Sequence, residues 1–166
     1  MTATAHVGFS VSVLGDMQLQ RALQGRIRAT SDLGPAFERI AEDFEDTQER
    51  AFDREGGHEG NPRWAPLSDE YAEWKAKHYP GMKILMRSGA LRDALTGGPG
   101  SVRDVKPLRL VMGGSVIVGK WDLGALHQTG TTRGMPARKP LNLSRNQRHR
   151  WMRILADHFR LEGREV

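Results

Sequence analysis

The 166-residue sequence contains no cysteine, which excludes disulfide bridges, thiolate zinc sites and cysteine nucleophiles. Aromatic residues make up only 7% of the chain. No run of about 18 apolar residues occurs, so we expect no membrane-spanning helix. The first residues also lack the basic leader and apolar run of an ordinary secretory signal. These absences predict a protein that is neither exported by such a signal nor inserted in a membrane.

The length of the chain predicts one domain, residues 1–166, with enough apolar side chains to form a core. Hydrophobic residues account for 38% of the sequence and charged residues for 27%, a composition typical of a globular chain with extended segments. Residues 56–66 and 130–142 are rich in glycine and proline, and we expect both segments to be flexible loops.

Charge is unevenly distributed along the chain, whose net charge is +5. Residues 31–55 contain nine acidic and three basic side chains, whereas residues 132–166 contain nine basic and three acidic ones. This asymmetry indicates either that the basic end binds nucleic acid, or that copies of the chain associate through opposite faces. The sequence alone leaves both interpretations open.

The residue types that usually carry catalysis or bind metals form no recognisable motif. The six histidines are scattered, and no pair has the spacing of a helical zinc site. The sequence has no Gly-x-Ser-x-Gly elbow and no Gly-Lys-Ser/Thr phosphate loop. Distant acidic residues can still meet in a fold, so a small hydrolase stays an alternative. We nevertheless expect no catalytic residues, no bound metal and no cofactor.

The clearest element in the sequence is an amphipathic helix over residues 31–52, with Pro35 in its first turn. Apolar or small side chains recur there at steps of three and four residues, at Leu33, Phe37, Ile40, Phe44, Thr47 and Ala51. Acidic side chains occupy the opposite face, which is typical of a solvated helix surface.

Shorter patterns predict the other elements. Residues 7–14 alternate as a half-buried strand, and residues 108–119 predict a β-hairpin with Gly113–Gly114 as its two-residue turn. Further helices are predicted at residues 16–29, 68–79, 84–95, 121–130 and 144–163, with Asp16, Ser68, Ser88 and Ser144 as N-caps. The fold class is therefore α+β: a small mixed or antiparallel sheet with a hairpin, packed against the long helix, with a C-terminal helix and extended loops.

The C-terminal helix could bind DNA. It carries Trp151 among four arginines that could neutralise phosphates, Arg145, Arg148, Arg150 and Arg153. Trp151, however, shares an apolar side of this helix with Leu155 and Phe159, a pattern typical of a core residue. Both interpretations are kept.

Three motifs in the order found here resemble the phage virion morphogenesis family, also called tail-completion proteins. The resemblance covers roughly residues 16–160. Its motifs are Trp64-x-Pro66-Leu67 with Lys75, Ile84-Leu85 with Ser88-Gly89-x-Leu91, and His127-Gln128-x-Gly130 with Pro136-Ala137-Arg138-x-Pro140-Leu141. The chain departs from the family pattern before the histidine, where it has Gly124-Ala125-Leu126, and after Pro140, where it has Leu141.

The resemblance implies a structural protein of a tailed phage, located at the neck of the virion and present in the host cytoplasm during assembly. Its partners would be copies of itself in a ring, head connector or adaptor proteins, and tail terminator or tail tube proteins. DNA would only pass through the lumen of the ring, and no membrane is expected. A DNA-contacting packaging factor and a tail terminator are the alternatives within this class.

Residues in the motifs receive two kinds of expected role. The first role is that of an arm that can swing and contact a neighbouring subunit. Its expected residues are His127, Gln128, Gly130, Pro136, Arg138 and Pro140. Within it Arg138 would offer its forked guanidinium to a carboxylate of the same or a neighbouring subunit. His127 would cap or hydrogen-bond at the end of its helix. The expected core residues are Trp64, Leu67, Leu85 and Leu91.

Overall fold

The computed structural model describes residues 24, 25, 27, 30–132 and 134–162. The predicted strand at residues 7–14 and most of the predicted helix at residues 16–29 lie outside these residues. Five helices and two separate antiparallel hairpins have their bounds within the described part of the chain, which confirms the predicted α+β class.

Helix α1, Gly34–Asp53, is the central element of the fold. Its first turn contains Pro35, and the backbone N–H of Gly34 donates to the Asp32 carboxylate over 2.8 Å. The buried face comprises Ala36, Ile40, Ala41, Phe44, Thr47, Gln48 and Phe52. The predicted helix is therefore confirmed, with the centre of its apolar stripe facing the interior.

Helix α5, Arg145–Glu162, packs antiparallel to α1. The predicted cap is present, because the Ser144 hydroxyl accepts from the backbone N–H of Gln147 over 2.9 Å. Further along, the Trp151 indole donates to Asp43 over 2.8 Å, and a ring nitrogen of His158 lies 2.9 Å from the Asp32 carbonyl oxygen. These contacts join the C-terminal helix to the middle of α1 and to the segment just before it.

Three shorter helices complete the helical part: α2, Asp69–His78; α3, Ala90–Leu95; and α4, Leu123–Thr129. Ser68 precedes α2 as predicted, although its side chain makes no capping hydrogen bond. The helix predicted at residues 84–95 is shorter than expected. It begins only after Gly89, whose φ of +87° is incompatible with a continuing helix.

The two hairpins are formed by β1, Ser101–Lys106, with β2, Arg109–Gly114, and by β3, Ile117–Val118, with β4, Trp121–Asp122. The predicted turn at Gly113–Gly114 is wrong, because both glycines lie within β2. A Cβ atom on Gly114 would lie only 1.9 Å from the carbonyl oxygen of Ala94. Glycine is thus required at Gly114 for the close approach of β2 to α3, and the turn falls at Pro107–Leu108 instead.

The hydrophobic core comprises Phe52, Trp64, Leu91 and Leu95. It joins the C-terminal end of α1 and the loop that follows α1 to helix α3. The Phe52 and Trp64 rings meet edge to face, with their centroids 5.2 Å apart. Ile84, Leu85, Met86 and Val116 pack against this cluster from the side. Trp64 of the first motif and Leu91 of the second motif therefore lie in the same core.

Candidate interface site around Arg138

The three motifs, which are far apart in the sequence, surround one open groove with a volume of about 730 Å³. Leu67 comes from the first motif, Leu85 and Leu91 from the second, and His127 and Arg138 from the third. Trp64 and Leu91 belong to the buried core, whereas Leu67 and Leu85 are half-buried. The expected core residues therefore divide between the interior and the groove wall.

Arg138 is the buried centre of this region, with only 6% of its surface exposed. Its Nε donates to the carbonyl oxygen of Ala65 and its Nη2 to that of Pro66, each over 2.7 Å. Its backbone N–H donates to the carbonyl oxygen of His127 over 2.8 Å. The arginine therefore fastens the third motif to the first.

Within the described residues Arg138 contacts no carboxylate of its own subunit, and a carboxylate of a neighbouring subunit stays a prediction. Ala65 and Pro66 lie in an extended loop, so no helix or strand donor is available to their carbonyl oxygens. The guanidinium supplies two donors to these carbonyl groups in a fixed planar fork. The forked geometry that suits a carboxylate here serves two consecutive backbone oxygens.

The arm, residues 130–142, is attached to the loop at residues 61–66 at two further points. The Trp64 indole donates to the Lys139 carbonyl oxygen over 3.0 Å, and the Asn61 side-chain amide donates to that of Asn142 over 2.8 Å. The two segments that the sequence predicts to be a swinging arm and a flexible loop are thus hydrogen-bonded to each other in this structure. We call this arrangement the clasp.

Gln128 attaches the arm to α4 on the other side. Its side-chain nitrogen donates to the Leu141 carbonyl oxygen over 2.8 Å, and its side-chain oxygen accepts from the Leu141 N–H over 3.2 Å. The amide thus imitates a paired backbone group. Within the arm, Pro140 is buried and Pro136 is exposed.

Gly130 ends α4, as predicted, and turns the chain back over the helix end. Its φ is +74°, and a Cβ atom there would lie 2.7 Å from the Met135 carbonyl oxygen and 2.8 Å from the Ala137 nitrogen. The Thr131 N–H donates to the same Met135 oxygen over 2.9 Å. The turn therefore requires glycine both for its φ and for space.

His127 is half-buried on the groove wall, and among the described residues its buried Nδ1 has no hydrogen-bond partner. Burial and then the neighbouring Arg138 cation lower the pKa of His127, so the ring is neutral at neutral pH. At the end of α4 it is the backbone carbonyl oxygen of His127 that accepts a hydrogen bond, from the Arg138 N–H.

A second polar cluster, which the sequence did not reveal, joins α1, α5 and the loop after α1. Arg150 donates to Asp43 over 2.7 Å and to Glu59 over 2.5 Å, and Glu59 also accepts from the Ser144 hydroxyl over 2.6 Å. The only local signal was the cap at Ser144. The pairing of Arg150 with Asp43 depends on the packing of two helices that are distant in the chain.

Other acidic side chains of α1 are also paired within the chain. Arg103 contacts Glu38 and Glu45, and Arg92 donates to Glu49 over 2.5 Å. These carboxylates thus have basic partners within the chain, while Glu38 and Glu49 stay 51% and 53% exposed on a solvated helix surface. Association between copies through opposite faces stays a prediction.

Two of the five residues considered for DNA binding are engaged inside the fold, namely Arg150 and Trp151. Among the described residues, no group of three histidine, aspartate or glutamate side chains could hold a metal ion. In the same part of the chain, no helix has the length and apolar character needed to span a bilayer.

The sequence model of the phage virion morphogenesis family matches residues 14–160. The chain belongs to this family. The matched range contains all three motifs, the clasp and the groove, so the site described above is part of the family domain. No curated protein and no solved structure matches the chain.

Family membership gives the protein a structural or assembly role in a phage virion and associates it with the virion. It points to a structural protein rather than an enzyme, which agrees with the function expected from the sequence.

Proposed function

We propose that the protein forms an oligomeric ring at the phage neck and joins the head to the tail during morphogenesis. The observation that carries this proposal is an exposed apolar surface beside the groove. Ile117 and Trp121 of the second hairpin are 63% and 54% exposed. Val118, which pairs with Trp121 across the hairpin, is 48% exposed as well. Large apolar side chains exposed on one short hairpin favour contact with another protein, and the family role supplies the setting for that contact.

The proposed partners are other copies of this chain, the head connector or adaptor, and the tail terminator or tail tube proteins. DNA passes through the lumen of the ring without specific contacts. The clasp supports this role, because hydrogen bonds that hold the arm in place before binding reduce the entropy lost when a partner binds.

A DNA-contacting neck or packaging factor is the second candidate. Arg145, Arg148 and Arg153 are exposed on α5, and none of them forms an ion pair in the described residues. Three phosphate contacts would give binding that weakens as salt rises. A DNA mobility-shift titration at several salt concentrations tests this candidate, and the absence of a shift at low salt would eliminate it.

Electron microscopy of particles that carry a tagged copy of the chain tests the neck position. We expect tag density in a ring between the connector and the tail tube. Replacing Ile117 and Trp121 by serine should prevent incorporation without lowering the melting temperature. Leu108→Ser is the matched control, because Leu108 is 66% exposed at the tip of the other hairpin. Tag density at the tail terminator or in the distal tail would contradict the proposal.

A further inference from the structure

The groove described above combines an apolar floor with an open mouth. Its floor and walls include Leu67, Leu85, Leu91, Val116 and Leu123. Tyr71 and Val118 also line it and remain 41% and 48% exposed. Its volume of about 730 Å³ is large enough for several side chains of a partner.

Two buried cations line this apolar groove. Lys75 is 5% exposed and donates to the Lys83 carbonyl oxygen, while Arg138 is held by the Ala65 and Pro66 carbonyl oxygens. Within the described residues neither cation forms an ion pair with a carboxylate. Glu55 acts on Lys75 only from a distance and accepts from the Ile84 N–H over 2.8 Å.

Both cations keep unused hydrogen-bond donors. A lysine ammonium has three donors and an arginine guanidinium has five. One bond from Lys75 and two from Arg138 are present in the described part of the chain. The buried Nδ1 of His127 adds a third polar group without a partner on the same wall. Buried charge of one sign in an apolar site is unfavourable unless it is compensated.

We propose that the groove binds an apolar peptide segment of another virion protein and that an aspartate or glutamate of this segment pairs with Lys75 and Arg138. The apolar side chains of the segment would cover the leucines of the floor. This inference rests on the proposed function only in assigning the segment to a neighbouring virion protein. Its binding chemistry follows from the groove itself.

The probe for the test is a short fluorescent peptide of leucine and serine around one central aspartate, compared with the same peptide carrying asparagine. Fluorescence anisotropy measures binding to the full chain. We expect the aspartate peptide to bind at least about tenfold more tightly, because hydrogen bonds to charged groups contribute about 1.5 to 3 kcal/mol. Lys75→Met should reduce this preference several-fold, whereas Lys77→Met, which changes an exposed lysine of the same helix, should leave it unchanged.

Val118→Asp provides a second variant in case Lys75→Met fails to fold, because Val118 is exposed at the groove mouth. It should weaken the aspartate peptide by repulsion while the melting curve stays normal. Equal binding of both peptides, or a preference unchanged in both variants, would overturn the inference. If Val118→Asp instead changes the oligomer size and no peptide binds, the occupant is a second copy and the inference is wrong. These outcomes are independent of head–tail joining, which tests the proposed function separately.

Discussion

At the residue scale, Arg138 shows how a motif can be found in the sequence while its contacts cannot. Gly134, Pro136 and Pro140 flank this arginine and indicate that its backbone has a fixed conformation. Its acceptors at Ala65 and Pro66 lie more than 70 positions away in the chain. No local pattern distinguishes a carboxylate partner from two backbone carbonyl groups. The expectation of a carboxylate followed from the general preference of guanidinium groups; within the described residues two carbonyl oxygens accept instead, and a carboxylate of a neighbouring subunit stays a prediction.

Replacing Arg138 by alanine should lower the free energy of unfolding by about 1.5 to 3 kcal/mol, because two charge-assisted hydrogen bonds are lost and two carbonyl oxygens remain without donors. Arg138→Lys should not restore stability, since one ammonium does not reproduce the planar fork. Urea unfolding followed by circular dichroism measures the change. Arg153→Ala, at an exposed position of α5, is the control. Full stability of Arg138→Ala would show that the clasp does not depend on this residue.

His58 should make stability depend on pH below neutrality. Burial lowers its pKa from the ordinary value of 6.5; Glu59 raises it, and Arg54, Arg50 and Arg150 lower it further. A neutral buried histidine stabilises the fold fully above pH 6.5, and this contribution is lost as the pH falls toward the lowered value. His127 should contribute in the same direction, since burial and Arg138 lower its pKa.

Urea unfolding at a series of pH values between about 7 and 5 tests the histidine effect, because this range contains the ordinary histidine pKa. His58→Gln should show a smaller loss of stability across this range than the unchanged protein. His149→Gln, at an exposed position of α5, should retain the full loss. Glu59 affects the free energy of unfolding at lower pH than the histidines do. Burial alone would raise its pKa, but hydrogen bonds from Ser144 and Arg150 lower the pKa below 4.5. An identical slope for His58→Gln would contradict the role of His58.

At the element scale, the helices were predictable because a periodic apolar face is a local property. The stripe of α1 and the cap of α5 at Ser144 could both be read from a short window. The first hairpin could not, because Gly114 is required by contact with Ala94 rather than by a turn. A glycine needed for close packing and a glycine needed for positive φ look the same in a sequence.

The arm provides a test that separates these two uses of glycine. Gly130 and Gly134 both have positive φ, of +74° and +95°, but their surroundings differ. A Cβ atom added at Gly130 would lie less than 3 Å from backbone atoms, whereas one added at Gly134 would have nothing within 4 Å. Gly130→Ala should therefore destabilise the protein more than Gly134→Ala, which carries only the strain of about 1 to 3 kcal/mol for an unfavourable φ. Thermal unfolding compares the two variants. Equal losses would mean that the turn adapts to the added methyl group.

At the scale of the whole molecule, the sequence shows two segments of opposite charge but does not show where their side chains pair. The acidic and basic segments suggested association between copies, yet Asp43 pairs with Arg150 of the same chain, and Glu45 pairs with Arg103. Antiparallel packing of α1 and α5 brings the two segments together. Among the described residues, the exposed features available to partners include the apolar hairpin, the groove with its two cations, and the arginines of α5.

The central claim is that this protein joins heads to tails, and the most direct test is joining in vitro. Phage grown without the protein should yield separate DNA-filled heads and complete tails. Addition of the purified protein to such a lysate should restore joined particles in electron micrographs and infectious particles in a plaque assay. Joined, infectious particles formed in its absence would contradict the claim, as would heads and tails that stay separate after its addition.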